Sequence, residues 1–145
     1  HSDDPAQVRV AARRVRALLD ELEIDSVPVA SGGKGYHVYI ALVPTAEIVD
    51  DVSRAALILA NALAHRCPDE LTIETLKKNR KGRVYVDWIT IATVADRLGA
   101  TAPLLQLAHN PLDAATLCAR ADALRDELAL ELVRYDRFGR PMPVP

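Results

Sequence analysis

A glycine-rich loop that runs straight into a strand pattern is the feature that most limits the fold of this chain. The stretch SGGKG, residues 31–35, holds three glycines and a lysine, and YHVYIAL follows it at once. This second segment alternates in polarity, which is the period of a β-strand. One face is apolar and the other carries His37; the apolar face consists of Val38, Ile40 and Leu42. Walker-type GxxxxGK[ST] loops and dinucleotide-binding GxGxxG loops lead into a helix instead, so a nucleotide hydrolase of the Walker type is not expected.

Two helices are predicted on either side of this loop and strand. The first lies within DDPAQVRVAARRVRALLDELEI, with Pro5 in its first turn and Asp3 or Asp4 as its cap. Its apolar residues recur at helical spacing: Val8, Ala11, Val15, Leu18 and Leu22. SVPVA is predicted as a short strand between this helix and the loop. The second helix is expected to begin at Pro44 and Thr45 and to stop before Pro68.

The remainder of the chain predicts a hairpin followed by helices. LTIETL and RVYVDWIT have strand character and are separated by the basic turn KKNRKG, so we expect a β-hairpin. IATVADRLG and PLLQLAHN indicate short helical pieces. A long amphipathic helix is predicted from Leu112 to Arg134, with Asn110 as its cap and Pro111 in its first turn. The fold class expected is α+β, as a single domain over residues 1–140 with a proline-rich tail over 141–145.

Composition excludes several classes of protein. The formal charge of −2 is not that of a generally basic nucleic-acid coat protein, although a local basic patch is compatible with it. No apolar run approaches the ~20 residues that span a membrane. The two cysteines, Cys67 and Cys118, have no CxxC spacing and are expected to be reduced thiols of a cytosolic protein. Zinc-binding motifs and nucleophile-elbow motifs do not occur.

Three features of the sequence contain residues suited to ligand binding or catalysis. Backbone N–H groups of the glycine loop with Lys34 suit an anion, and His37 is placed to reach a bound phosphate; the alternative is a tight β-turn with a solvated lysine. Asp87 lies in a strand pattern beside Trp88. It is interpreted either as a buried carboxylate paired with Arg83 or Lys34, or as a ligand of Mg²⁺ or Mn²⁺. A glycine–lysine loop, a histidine and a carboxylate together favour phosphoryl-transfer chemistry.

Two ordered motifs resemble a known family. SGGKGYHVYIAL, followed by a helix and then TIETLKKNRKGRVYVDW, resembles the polymerase domain of bacterial ligase D, in the archaeo-eukaryotic primase superfamily. The first stretch has the family's serine–glycine–x–lysine–glycine–x–histidine motif. The second has its threonine–x–glutamate…lysine…arginine…glycine–arginine–valine–x–valine–aspartate motif. The resemblance covers about residues 6–90 and includes RALLDELEIDS upstream of the loop.

The resemblance implies a primase-polymerase core with a mixed or antiparallel, RRM-like sheet flanked by helices. It implies that His37 and Asp87 are catalytic, that Asp87 binds Mn²⁺ or Mg²⁺, and that Lys77 and Arg80 contact the nucleotide or nucleic acid. The residues implied to bind the nucleotide phosphates are Ser31, Gly32, Gly33, Lys34 and His37. The implied reaction is addition of a nucleotide to a primer 3′ end with two divalent ions, as in non-homologous end joining.

Two departures accompany the resemblance. The family's aspartate–x–aspartate–proline metal motif lies upstream of the first helix, whereas this chain begins with HSDDPAQ, so that it resembles the second half of the domain. After Asp87 the family's glutamine–asparagine pair and terminal arginine are absent; residues 93–95 echo a threonine–valine–alanine stretch, and Arg97 is the substitute candidate. A second reading is therefore a catalytically impaired nucleotide- or nucleic-acid-binding module of the same fold. A third is a packing or dimerisation role for the long helix.

The expected partners follow from the same resemblance. They are a nucleoside triphosphate, a DNA primer-template or DNA ends, a DNA ligase that is fused or separate, and an end-binding protein. No membrane partner is expected. The expected location is the bacterial cytoplasm, in association with the nucleoid.

Overall fold

The computed structural model describes residues 4–43, 49–88, 106–107 and 109–144. Within these residues it has four helices and four short strands. In chain order they are α1 (Pro5–Glu21), β1 (Val27–Ala30), β2 (Tyr36–Tyr39), α2 (Val49–Arg66), β3 (Leu71–Thr72), α3 (Lys77–Arg80), β4 (Val84–Tyr85) and α4 (Ala114–Leu128). The expected short helical pieces before α4, and with them Arg97, lie almost wholly outside the described residues.

Helix α1 forms as predicted. Asp4 is its N-cap, and the Asp4 carboxylate accepts a hydrogen bond of 2.9 Å from the backbone N–H of Ala6. Such a cap satisfies one of the backbone donors that the first helical turn leaves without a partner. The buried side of the helix follows the predicted spacing and consists of Val8, Ala11, Leu18 and Leu19.

Helix α2 lies at the centre of the molecule. Its predicted start at Pro44 and Thr45 lies outside the described residues, and its predicted end before Pro68 is confirmed, since it ends at Arg66. Its buried residues lie on more than one face: Ala55, Leu57, Ile58, Ala60, Asn61, Ala62 and Leu63. A helix that is apolar on most sides is stable only when other elements cover it. Here α1, β3 and above all α4 do so.

Strands β1 and β2 form an antiparallel hairpin around the glycine loop. Val27 pairs with Tyr39 and Ala30 with Tyr36, so that residues 31–35 form the connection. The predicted apolar face is confirmed, because Val38, Ile40 and Leu42 pack against one of the two core clusters.

The predicted second hairpin is wrong, because β3 and β4 pair in parallel. The basic segment between them is not a tight turn but the helical turn α3. It ends with Lys81 at a φ of 52° and Gly82 at a φ of 79°, in the left-handed region. This longer path brings Val84 alongside Leu71 in the same direction, and the N–H of Val84 donates to the carbonyl of Glu70 at 2.8 Å.

The predicted long helix is wrong at both ends. Leu112 is extended instead of helical: its N–H donates to the carbonyl of Ala41 at 2.8 Å, and its carbonyl accepts from the N–H of Val43 at 2.9 Å. The helix therefore begins only after Asp113, which is its N-cap in place of Asn110. It ends at Leu128 because Ala129 adopts a left-handed conformation with a φ of 50°.

The segment after α4 is held by a buried side chain of α2. The Asn61 amide group donates to the carbonyls of Leu57 at 2.9 Å and Val133 at 3.0 Å, and the N–H of Val133 donates to the Asn61 side-chain oxygen at 3.0 Å. Asn61 thus acts as a local substitute for a β-strand partner. Farther along, Tyr135 and Pro141 form an antiparallel bridge.

The architecture is a mixed α/β fold, as expected at the level of class. Within the described ranges the strands form two separate two-stranded sheets, one antiparallel and one parallel. Two core clusters lie around α2, and four partly buried residues contact both: Val15, Leu22, Leu59 and Leu130. None of the described helices is both long enough and apolar enough to cross a membrane.

Candidate functional site

The glycine loop is a compact turn closed by its first residue. The backbone N–H and the hydroxyl of Ser31 both donate to the carbonyl of Gly35, each at 2.9 Å. The N–H of Gly33 in turn donates to the Ser31 hydroxyl oxygen at 3.4 Å. Ser31 is thus an internal brace that determines the shape of the loop. The turn interpretation made from the sequence is correct for the backbone, and it is compatible with anion binding.

The outer side of the loop is open to solvent. Gly32, Gly33 and Lys34 are exposed, whereas Gly35 is buried. Gly32 has a φ of 85°, a conformation that side chains disfavour, but a Cβ atom there would meet nothing within 4 Å. Glycine is therefore needed at this position for its backbone conformation and not for close packing. The loop backbone at Gly32 therefore faces solvent.

His37 follows the loop and lies opposite Val29 in the hairpin. It is partly buried, and its ring lies 6.1 Å from the ring of Tyr39, tilted by 50°. Tyr39 was not singled out as a site residue, although strand alternation places it on the same face as His37. The alternation of the strand pattern already places the two residues on one face.

A cavity of about 330 Å³ lies beside His37. Residues of α1, β2, α2 and β4 line it, and so do the residues that directly follow β4. Both His37 and Asp87 are among these lining residues, as are Tyr36, Tyr39 and Trp88. The fold therefore brings together a histidine and a carboxylate that are far apart in the sequence. Most of the remaining lining is aliphatic.

Asp87 is exposed and follows the end of β4. The interpretation of Asp87 as buried is therefore wrong, because the strand ends at Tyr85, before that position. The pKa of the Tyr85 phenol is raised by burial and, secondarily, by the negative charge of Asp87. Asp87 thus contributes negative charge at the rim of the cavity without the desolvation penalty of a buried ion.

The cations of the basic segment are of two kinds: the arginines bond to backbone carbonyls of the protein, and the lysines are exposed. The Arg80 guanidinium donates to the carbonyls of Glu74 at 3.1 Å and Thr75 at 2.7 Å, and lies 4.4 Å from the centre of the Tyr85 ring. Arg83 donates to the carbonyls of Arg80 and Asn79 in the same way. Lys77 is exposed on α3. Neither Lys77 nor Arg80 lines the cavity, although the Arg80 guanidinium lies over the ring of Tyr85, which does.

The described residues do not supply a complete set of ligands for a divalent ion. Among residues 4–43, 49–88, 106–107 and 109–144, no three His, Cys, Asp or Glu side chains come together in a way that would hold a metal. Asp4 caps α1, and Asp3 lies outside the described residues. Asp87 is the one carboxylate at the cavity that the sequence assigned to metal binding, and one carboxylate does not make a site for Mg²⁺ or Mn²⁺.

The chain matches the family model described as the primase-polymerase domain of LigD over residues 2–97. Among curated proteins it is similar to LigD of Mycolicibacterium smegmatis, a multifunctional non-homologous end joining protein. The identity is 38% over 81 residues, which is 53% of this chain and 10% of that protein. It is also similar to the bifunctional non-homologous end joining protein LigD of Bacillus subtilis, with 33% identity over 87 residues, covering 60% of this chain and 14% of that protein.

A third relative is the multifunctional non-homologous end joining DNA repair protein LigD of Mycobacterium tuberculosis. It is 40% identical over 87 residues, which is 57% of this chain and 11% of that protein. The chain thus covers only a small fraction of the relatives that it matches. The matched range includes the glycine loop, α3 and Asp87, whereas α4 and the segment after it lie outside.

Proposed function

The chain belongs to the LigD primase-polymerase domain family, and from this premise we propose that it binds a nucleoside triphosphate and adds nucleotides to a primer 3′ end in non-homologous end joining. The observation that carries the proposal is the cavity that His37 and Asp87 both line. Its volume of about 330 Å³ and its mainly aliphatic lining, which includes four aromatic rings and the polar groups of His37 and Asp87, are of the kind that holds a small molecule. The open glycine loop precedes His37 on the same hairpin.

In this proposal the loop and His37 bind the phosphates. Ser31 shapes the turn and accepts a hydrogen bond of 3.4 Å from the N–H of Gly33, the exposed backbone at Gly32 and Gly33 lies against the phosphates, and Lys34 adds a positive charge. The Lys77 ammonium group contacts nucleic acid. Arg80 supports Lys77 by holding the carbonyls that precede α3, and its guanidinium adds to the positive field.

Transfer chemistry needs more than the described residues provide. A divalent ion, when bound, neutralises phosphate charge during nucleotide transfer. Asp87 is proposed as one ligand of Mn²⁺ or Mg²⁺, and further carboxylates have to come from outside the described residues. An RRM-like sheet, a ligase partner, an end-binding protein and a nucleoid location in the bacterial cytoplasm belong to the same proposal. They are supported by the family and by the bacterial relatives.

The second candidate is a binding module without transfer activity. The incomplete carboxylate set favours it, because phosphate binding through the loop and His37 does not depend on a full metal site. The two candidates share nucleotide binding and differ in whether a nucleotide is transferred. They are therefore separated by one binding assay followed by one transfer assay.

The binding assay titrates a fluorescent nucleoside triphosphate with the protein, with and without Mn²⁺. Hydrogen bonds to charged groups contribute about 1.5–3 kcal/mol, so His37→Ala is expected to weaken binding about tenfold or more. Lys34→Ala is expected to weaken it as well, whereas Arg13→Ala is the control, an exposed cation of α1 away from the loop. Asp87→Ala is expected to remove only the enhancement by Mn²⁺. Equal affinity for the wild type, His37→Ala and Lys34→Ala would refute the proposed site.

Primer extension then separates the two candidates. Transfer by the wild type that is lost in Asp87→Ala supports the polymerase, and binding without transfer supports the binding module. Thermal unfolding of each variant shows that lost binding is not lost folding.

A further inference from the structure

The segment after α4 forms a tight hairpin outside the range that matches the family model. We call residues 134–142 the C-terminal hairpin. The N–H of Met142 donates to the carbonyl of Arg134 at 2.9 Å, and the N–H of Asp136 donates to the carbonyl of Arg140 at 2.9 Å. At the turn, the Asp136 carboxylate accepts from the backbone N–H groups of Phe138 and Arg140, at 2.8 and 2.9 Å, and from the Arg140 guanidinium at 2.9 Å. These bonds lower the pKa of Asp136, so it is ionised and engaged within the turn at neutral pH.

The C-terminal hairpin packs directly against the basic segment. The Thr75 hydroxyl donates to the carbonyl of Asp136 at 2.6 Å. Gly139 approaches the residue before α3 so closely that a Cβ atom there would lie 2.6 Å from Cδ1 of Leu76, and 3.6 Å from the side-chain nitrogen of Asn79. Two segments that are distant in the sequence therefore form one continuous surface, which we call the hairpin–helix surface.

The hairpin–helix surface combines an exposed aromatic ring with positive charge. Phe138 is 56% exposed, the highest value among the large hydrophobic residues that the structure describes. The Arg137 and Arg140 guanidinium carbons lie 4.7 and 5.2 Å from the centre of this ring. On the adjoining α3 side the exposed cations are Lys77, Lys78 and Lys81. Arg140 pairs with the Asp136 carboxylate, so these two charges offset each other, and the positive charge of the surface comes from the three lysines and Arg137.

We propose that the hairpin–helix surface binds single-stranded nucleic acid: the Arg137 guanidinium moves from the Phe138 ring to a phosphate, the lysines bind further phosphates, and one base stacks on the ring in place of Arg137. An exposed ring stacks only on a base whose face is free, and therefore favours a single strand over a duplex. The surface adjoins the cavity, since Arg80 of α3 covers Tyr85 and Tyr85 lines the cavity wall. The proposal takes the class of partner from the proposed function, but it uses residues that the nucleotide site does not.

The test measures fluorescence anisotropy of a labelled oligo-dT single strand at several salt concentrations. Phe138→Ala is expected to weaken binding by about fivefold or more, the effect typical of removing one stacking partner. Phe138→Trp is expected to bind as tightly as the wild type, because the indole ring also stacks. Lys78→Ala is expected to lower the slope of log affinity against log salt by about 0.7, as when one phosphate contact is lost. Arg13→Ala, an exposed arginine of α1, is the charge-matched control and is expected to leave binding unchanged.

The outcomes for this surface and for the nucleotide site can be separated. Oligo-dT binding that does not respond to Phe138→Ala or Lys78→Ala overturns the inference, even if nucleoside triphosphate still binds. Equal affinity for the duplex and the single strand overturns the stacking contact. Single-strand binding that responds as expected, in a protein that binds no nucleoside triphosphate, supports the inference and refutes the nucleotide site. A wild-type protein that does not bind oligo-dT also overturns the inference about the hairpin–helix surface.

Discussion

Gly139 and Gly82 have the same backbone φ angle but different surroundings. Both have a φ of 79°; a Cβ atom would meet nothing within 4 Å at Gly82 but would overlap the Leu76 side chain at Gly139. Gly82→Ala is therefore expected to lower the free energy of unfolding by about 1–2 kcal/mol, from left-handed strain alone. Gly139→Ala is expected to lower it by about 1–3 kcal/mol more, from overpacking. Urea unfolding of both variants measures the difference.

A third variant identifies the cause of that difference. In a Leu76→Ala background the overlap is gone, so the two glycine substitutions are expected to have similar effects. Equal effects of Gly82→Ala and Gly139→Ala in the wild-type background would contradict the close contact between the C-terminal hairpin and α3.

Asn61 is the second residue whose role depends on a distant partner. It is 6% exposed and makes three hydrogen bonds, two of them to the backbone of Val133. Asn61→Ala removes the partner of the N–H and of the carbonyl of Val133, and we expect a loss of about 2 kcal/mol in the free energy of unfolding. His65→Ala, an exposed position in the last turn of α2, is the control and is expected to change stability by less than about 0.5 kcal/mol. An equal effect of both substitutions would show that Asn61 does not hold the C-terminal segment.

At the scale of elements, the end of α4 shows how one backbone conformation sets a boundary. Ala129 has a φ of 50°, its N–H bonds back to the carbonyl of Asp126, and the next N–H, of Leu130, bonds to the carbonyl of Arg125. This arrangement is a helix end at which glycine is preferred. Leu130 then packs between the two core clusters, so the chain gains apolar contacts by leaving the helix there.

The same substitution is expected to have opposite effects at two alanines of this element. Ala129→Gly relieves left-handed strain and is expected to raise the free energy of unfolding by about 1 kcal/mol. Ala119→Gly, at an exposed position inside α4, is expected to lower it by about 1 kcal/mol, because glycine disfavours a helix interior. Urea midpoints of both variants test the pair, and destabilisation by Ala129→Gly would place the end of the helix elsewhere.

At the scale of the whole molecule, the two core clusters are not independent. The four residues Val15, Leu22, Leu59 and Leu130 contact both, and α2 contributes buried residues to each. A core connected in this way is expected to unfold in one cooperative transition. The single tryptophan, Trp88, lines the cavity and reports on that region, whereas far-UV circular dichroism reports mainly on the helices. The two signals are expected to share one urea midpoint, and two separated midpoints would contradict a single cooperative unit.

Local patterns in the sequence were enough for several elements. The cap and buried face of α1, the end of α2 at Arg66 and the strand after the glycine loop follow from spacing, capping and proline, which act within a few residues. The family was also predicted correctly from the sequence, because each of its two motifs is an unbroken stretch of residues. The positions of Ser31, Lys34, His37 and Asp87 as site residues remain predictions that the binding assay tests.

Long-range contacts decided the rest. The basic segment is a helical turn instead of a hairpin turn, because it packs against the distant C-terminal hairpin: the Thr75 hydroxyl donates to the carbonyl of Asp136, and Gly139 lies against Leu76. Helix α4 starts late because Leu112 pairs with the distant Ala41 and Val43. In each of these cases the deciding energy is a hydrogen bond or an apolar contact between segments far apart along the chain, which periodicity within one segment does not contain.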